Sequence, residues 1–187
     1  MPAPVGTKPS IWQVFSAEPH RMLFLAGATQ ILLTLAWWLV ELATRATGFL
    51  SPATVLPATW GHAFLMVYGV FPFFIFGFLF TVYPRWLRGT AIARRAYVLV
   101  FALLFGGILL FTAGLALDRR MVVLALVVFL AGWVGALASL LQVYARARER
   151  GPHERLLNLA LAAGLLGIAI FLAAVLTGST RLFALAR

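Results

Sequence analysis

A histidine stands at the start of the second apolar stretch of the chain, in the segment Trp60-Gly61-His62-Ala63-Phe64-Leu65-Met66. An imidazole inside a membrane is costly to leave unpaired, and its nitrogen atoms are common ligands of metals and of haem iron. Met66 follows His62 by one helical turn, so the two side chains share a face and can both point at one metal or haem iron. The spacing fits equally well with a histidine at the headgroup interface and a methionine that only packs.

Glu41 lies near the end of the first apolar stretch, at about the depth that we predict for His62. A carboxylate at this depth can accept the second ring proton of the histidine and fix its tautomer. Arg45 follows Glu41 by four residues, and an ordinary ion pair along one helix is the interpretation that we favour.

The other two histidines lie outside the apolar stretches. His20 directly precedes the first stretch, in Glu18-Pro19-His20-Arg21, and His153 lies in a charged loop. A helix rises about 1.5 Å per residue, which places His20 about one bilayer thickness from His62. We therefore expect that these two residues cannot bind one haem within one subunit, and that His153 is solvated.

The composition identifies a membrane protein. Of the 187 residues, 63% are hydrophobic and 11% are charged, which excludes an ordinary soluble domain. Continuous apolar runs of about 20 residues predict membrane-spanning helices, because a backbone in lipid must satisfy its own hydrogen bonds. The predicted fold is an all-α, polytopic bundle of five transmembrane helices, in a single domain over residues 1–187. The predicted spans are Leu23 to Thr44, Gly61 to Tyr83, Ala96 to Leu117, Met121 to Tyr144 and Leu156 to Thr177.

The formal charge of +10 comes from arginines in short connectors, where they meet anionic lipid headgroups and orient the helices. No basic motif or soluble platform accompanies them, so we expect no nucleic-acid partner. Ten basic residues lie on the N-terminal side of the predicted bundle: Lys8, Arg21, Arg85, Arg88, Arg94, Arg95, Arg146, Arg148, Arg150 and Arg155. Five lie on the other side: Arg45, Arg119, Arg120, Arg181 and Arg187. This bias predicts a cytoplasmic N-terminus and an outward-facing His62.

The chain has no cysteine, which excludes disulfides, thiolate zinc sites, iron–sulfur clusters and cysteine-bound haem. Histidine, methionine, carboxylate and tyrosine ligands remain. The second span is rich in phenylalanine around Pro72, and flat rings beside a kink can wall a porphyrin. Lipid contact and helix packing explain the same rings, and we expect Trp37, Trp38, Trp60 and Trp86 near interfaces or helix contacts.

Glycines, prolines and uncharged polar residues mark helix contacts and helix ends. We expect at least one of Gln30, Gln142 and Asn158 to bridge helices. Close helix approach is predicted at Gly106-Gly107, at Gly132 with Gly135, and at Gly164 with Gly167. Helix breaks are predicted at Pro52, Pro57, Pro84 and Gly151-Pro152.

Three blocks together resemble the NnrS family. They are Pro19-His20-Arg21-Met22-Leu23-Phe24-Leu25-Ala26-Gly27-Ala28, then His62-Ala63 with Met66 and Gly69, then Gly77-Phe78-Leu79-Phe80-Thr81-Val82-Tyr83-Pro84-Arg85-Trp86. Members of that family are polytopic, haem- and copper-containing membrane proteins associated with the response to nitric oxide in denitrifying bacteria.

The resemblance implies that His62 and His20 are the leading ligands, with Met66 beside His62, and that the cofactor is haem b with copper as a second candidate. Family members typically read Trp-His-Ala-His-Glu-Met in the second block, whereas this chain has Phe64 and Leu65 in place of the second histidine and the glutamate. Family members commonly have twelve spans. A shorter chain would therefore dimerise, join a membrane-protein partner, or be part of a longer protein.

The resulting expectation is an NnrS-like haem protein of the bacterial inner membrane, with haem held by histidine, that acts in the nitric oxide response or in nitrosative-stress tolerance. The alternative is a cofactor-free structural or assembly subunit of a respiratory membrane complex. The sequence makes no prediction about catalytic turnover.

Overall fold

The computed structural model describes residues 8–48, 54–148 and 150–178. All regular secondary structure in these ranges is helical. A short helix α1 (Ile11–Phe15) precedes five long ones. These are α2 (Pro19–Thr47), α3 (Ala58–Trp86), α4 (Arg94–Leu117), α5 (Arg119–Arg146) and α6 (Pro152–Thr177). All five are long and apolar enough to cross a membrane, so the predicted all-α bundle of five transmembrane helices is confirmed.

The helices extend beyond the predicted spans by up to four residues at an end. For example, α2 begins at Pro19 and α6 at Pro152. Proline is well suited to the first turn of a helix, because its fixed φ is helical and its missing N–H is not needed there. Hydropathy marks the lipid-facing stretch, while the helical backbone continues into the polar interface.

The prediction that Pro84 closes the second span is wrong, because α3 continues to Trp86. A proline removes its own hydrogen bond to the preceding turn, but the residues after it can still donate theirs. The helix ends where Arg88 adopts a left-handed backbone with φ 48°. The Gly89 N–H then donates to the Pro84 carbonyl at 2.8 Å. The breaks before α3 and α6 are confirmed at Pro57 and Gly151, while Pro52 lies outside the described residues.

Helix α3 is the most buried of the five, with 61% of its most apolar stretch inside the bundle. It contacts α4 through Gly69 and Ile108, since a Cβ on Gly69 would lie 3.1 Å from the Cγ1 atom of Ile108. It also contacts α6, where the Asn158 side chain donates to the Tyr83 hydroxyl at 3.0 Å. The prediction that an uncharged polar residue bridges helices is therefore confirmed at Asn158.

A π-helical segment, Leu65–Val70, interrupts α3 just before Pro72. Pro72 has no N–H to offer the carbonyl of Tyr68, and its ring crowds that carbonyl. A wider turn relieves the crowding by shifting the hydrogen-bond register. The irregularity therefore separates the turn that carries His62 from the regular helix Phe71–Trp86.

Glycines let the helices approach closely at most of the predicted positions. A Cβ on Gly107 would lie 2.9 Å from the backbone nitrogen of Phe129 on α5. The neighbouring Gly106 has no atom within 4 Å of such a Cβ, so the prediction of a close contact is wrong there. The other predicted glycines also meet neighbours within 4 Å: Gly132, Gly135, Gly164 and Gly167.

The contact between α4 and α5 predicts different effects on stability for alanine substitutions at two adjacent glycines. Gly107→Ala should lower the stability of the bundle by about 1–3 kcal/mol, because the added methyl group meets backbone that cannot turn away. Gly106→Ala should change it by less than about 1 kcal/mol, since that position is open. Thermal unfolding in detergent, followed by circular dichroism, measures both. Equal melting temperatures for the two variants would contradict this packing.

Candidate functional site

The ring of His62 stacks on the indole of Trp38, which joins α3 to α2 at the end of the bundle where α2 ends. The ring centroids are 4.0 Å apart and the planes differ by 11°. Both side chains are half-buried. A stacked imidazole keeps its nitrogen lone pairs in the ring plane, so the contact orients the ring without using either nitrogen.

The Nδ1 atom of His62 is buried and has no hydrogen-bond partner among the described residues. A buried polar atom without a partner is unusual and costs free energy comparable to a lost hydrogen bond. The edge of the His62 ring is therefore a place where a ligand would be stabilised.

Trp38 is itself held by charged residues one and two turns further along α2. The guanidinium carbon of Arg45 lies 5.7 Å from the centroid of the Trp38 ring. Arg45 also binds the Oε1 atom of Glu41, from Nε at 2.9 Å and from a terminal nitrogen at 2.8 Å. The favoured interpretation of Glu41 as the ion-pair partner of Arg45 is confirmed, and the carboxylate supports His62 only through Trp38.

Met66 is half-buried, one turn after His62, at the beginning of the π-helical segment. Its role as a second ligand stays a prediction. Within the described ranges, no group of three or more histidine, aspartate or glutamate residues could hold a metal ion.

His20 lies at the opposite end of α2, near Thr81 of α3. Its Nδ1 atom is 3.4 Å from the Thr81 hydroxyl oxygen. That hydroxyl donates its own hydrogen to the Gly77 carbonyl at 2.9 Å, so it faces His20 as an acceptor.

Eighteen residues separate His20 from Trp38 along α2, which corresponds to about 27 Å at the rise of an α-helix. His62 lies beside Trp38, so the two histidines are at opposite ends of the bundle. The predicted separation of the two histidines agrees with these contacts, and haem binding by either one stays a prediction.

Phe64 lies in an aromatic core. Its ring centroid is 4.5 Å from that of Phe111 and 4.6 Å from that of Phe171. The ring of Tyr68 stacks on it at 5.1 Å, and Leu65 is fully buried. This part of the second span therefore serves helix packing.

Comparison with protein families identifies the chain. The family model described as NnrS protein matches residues 14–186, which is nearly the whole chain. The chain belongs to the NnrS family. Searches of curated proteins and of solved structures gave no match.

Family membership supports a role in the nitric oxide response at the level of the family. The five apolar helices make this NnrS protein a multi-pass membrane protein in contact with lipid.

In this NnrS protein, the two departures from the expected ligand motif are part of the core. Phe64 stands where the resemblance places a second histidine, and Leu65 stands where it places a glutamate. Both side chains are enclosed by apolar neighbours, so neither position offers an accessible site for a polar ligand. His62 is the remaining histidine of that block, and its ring lies outside the aromatic core.

The sequence analysis missed the contact of Trp38 with His62. The type of Trp38 indicated only an interface or a helix contact. The signal that could have found it is the spacing Trp38, Glu41 and Arg45, which places an indole, a carboxylate and a guanidinium on one face of α2.

Removing the Trp38 indole should release the His62 ring. Trp38→Leu is expected to raise the rate at which diethyl pyrocarbonate modifies His62 by about three- to tenfold, because a stacked ring contact worth about 1 kcal/mol is lost. Trp86→Leu, which removes an indole from the other end of α3, is the matched control. Mass spectrometry of the modified peptide measures both rates, and equal rates would show that the stack does not hold His62.

Restoring the family histidine should harm the fold. Phe64→His is expected to lower stability by about 2–4 kcal/mol, because it places a polar ring without a partner in an aromatic core. Phe64→Leu is the apolar control and should cost less. Thermal unfolding measures stability, and elemental analysis measures bound iron and copper. A Phe64→His protein that is stable and gains metal would contradict a purely structural role for this position.

Proposed function

We propose that this NnrS-family protein binds haem b through His62 and acts in the nitric oxide response or in nitrosative-stress tolerance. The observation that carries the proposal is the half-buried imidazole, which is stacked on Trp38 and has a buried nitrogen without a partner. When bound, haem supplies an iron centre that can take nitric oxide or exchange an electron.

The residues around His62 would set how it binds. Trp38 holds the ring in one orientation, and Arg45, which is paired with Glu41, holds Trp38. The imidazole would therefore lose little conformational freedom on binding haem. Met66, one turn away, would be the second protein ligand if both ligands come from one helix. A thioether beside an imidazole also suits copper, which is our second candidate metal.

His20 is the second candidate haem ligand, for a separate site at the other end of α2. Its support is the half-buried ring, whose Nδ1 atom lies 3.4 Å from the Thr81 hydroxyl oxygen. A second subunit or a partner protein could supply a further ligand at either site. We accordingly propose a homodimer or a complex with another membrane protein.

The proposed location is the bacterial inner membrane with a cytoplasmic N-terminus. All ten basic residues assigned to the N-terminal end lie in the described ranges. Of the five assigned to the opposite end, the described ranges contain three, which are Arg45, Arg119 and Arg120. Arg181 and Arg187 lie outside the described residues. An excess of this size favours the cytoplasmic side for the N-terminal end, and His62 then faces outward.

A specific observation favours the alternative of a cofactor-free structural or assembly subunit of a respiratory membrane complex. Phe64 and Leu65 lie at family ligand positions and belong to the packed core. A protein that had lost its cofactor would retain such a fold. The alternative predicts a purified protein without a Soret band and with iron and copper well below one atom per chain.

Absorption spectra of the detergent-purified protein and three single variants test the haem proposal. His62→Ala should remove or shift most of the Soret absorption, because it removes the axial nitrogen. His20→Ala should leave the absorption that depends on His62, and the exposed His153→Ala is the matched control that should leave the whole spectrum unchanged. Full haem occupancy and an unaltered spectrum in the His62 variant would refute His62 as the ligand.

A further inference from the structure

A cavity of about 380 Å³ opens at the end of the bundle where α2 begins, between the end of α3 and the end of α5. Arg88, Arg146 and Arg148 line it together with Trp86 and Leu87. Its size is that of a site for a small ligand or for part of a larger one.

The charges of the three arginines that line this cavity are not paired with other side chains in the described ranges. In the described ranges, no hydrogen bond or ion pair involves their side chains, and the ion pair of Arg45 with Glu41 lies at the opposite end of the bundle. Other arginines at the same end are engaged: the Arg94 side chain donates to the Ser16 carbonyl at 3.0 Å, and Arg155 donates to the Tyr144 hydroxyl at 3.3 Å. By sequence, the whole end carries ten basic residues against Glu18, Glu149 and Glu154. Such a cavity attracts an anion.

The backbone of Arg88, which lines this cavity, has an unfavourable conformation. Its φ of 48° lies in the left-handed region, which a residue with a Cβ rarely adopts. Glycine would fit this position after a helix end without strain. Strain of this kind is concentrated at binding sites, and here it places a guanidinium at the cavity.

The surroundings indicate that the anion belongs to a lipid. Trp86 is half-exposed at the end of a membrane-spanning helix, where indoles meet the headgroup layer. On α6, a second cavity of about 520 Å³ shares Trp86 and is lined further by His153, Glu154 and Leu157. A phosphate at the arginines would therefore have room beside Trp86 for the glycerol and the start of the acyl chains.

We propose that Arg88, Arg146 and Arg148 bind the phosphate group of an anionic phospholipid. Guanidinium groups bind phosphate oxygens through paired, charge-assisted hydrogen bonds, and basic pockets at the ends of transmembrane helices select anionic lipid headgroups. The site is independent of haem, because it lies at the other end of α3 from His62.

Native mass spectrometry of the full chain in a mild detergent tests the proposal, with phosphatidylglycerol as the probe and phosphatidylcholine as the neutral reference. The double variant Arg88→Gly/Arg146→Gln should bind phosphatidylglycerol at least about 25-fold more weakly than the wild type, from about fivefold or more for each lost charge-assisted hydrogen bond to the phosphate. The matched control Arg85→Gln/Arg95→Gln removes the same charge from exposed positions at the same end and should lose much less affinity. Binding of phosphatidylcholine should not change in either variant.

Two further measurements separate the possible outcomes. Arg88→Gly relieves the left-handed strain, so the single variant should melt no lower than the wild type without added lipid, and loss of lipid binding then reflects loss of the guanidinium. Equal losses in the test and control pairs would show that bulk charge alone attracts the lipid, which overturns the site. Inorganic phosphate and glycerol phosphate are titrated against the bound lipid, and displacement by either at equal concentration would overturn the assignment to a lipid.

Discussion

The close approach of α2 and α3 is the constraint on which both histidine positions depend. A Cβ on Gly27 would lie 2.8 Å from the Phe74 ring, and one on Gly77 would lie 2.7 Å from the Phe24 ring. Each helix therefore has a glycine where the other has an aromatic ring. Between helices in lipid, such close packing replaces the hydrophobic effect as a source of stability. Because the two helices are in register, His62 meets Trp38 at one end, and His20 meets Thr81 at the other.

The centre of the bundle is used mainly for packing, and both candidate histidines lie near its ends. Phe64, Phe111 and Phe171 fill the interior beside the π-helical segment, at the position where a family-type ligand set would need polar groups. His62 precedes Phe64 of this core by two residues, which is about half a helical turn. The core therefore shapes the proposed site by supporting α3, while the ligand atoms come from the edge of the bundle.

The two ends of the bundle differ in the charges that they present. The end near His62 has a buried carboxylate, Glu41, already paired with Arg45. At the N-terminal end, Arg88 and Arg146 lie beside Trp86 and have no carboxylate partner among the residues that the structure describes. The first arrangement fixes the orientation of aromatic rings, and the second leaves positive charge for the headgroup layer. This separation keeps the proposed haem ligand, His62, and the proposed lipid site at opposite ends of the chain's helices.

Much of this protein was determined by local sequence. Apolar runs of membrane-spanning length decided the five helices, Pro57 and Gly151 marked helix starts, and the spacing of Glu41 and Arg45 decided their ion pair, because each depends only on neighbours along one helix. The single-domain organisation over residues 1–187 stays a prediction. Contacts between helices needed the tertiary structure: the Trp38 stack on His62, the burial of Phe64, the openness of Gly106 and the arginine cavity each depend on how helices are rotated against one another. A helix repeats its faces every 3.6 residues, so a small rotation, such as that of the π-helical segment before Pro72, decides which neighbour a side chain meets.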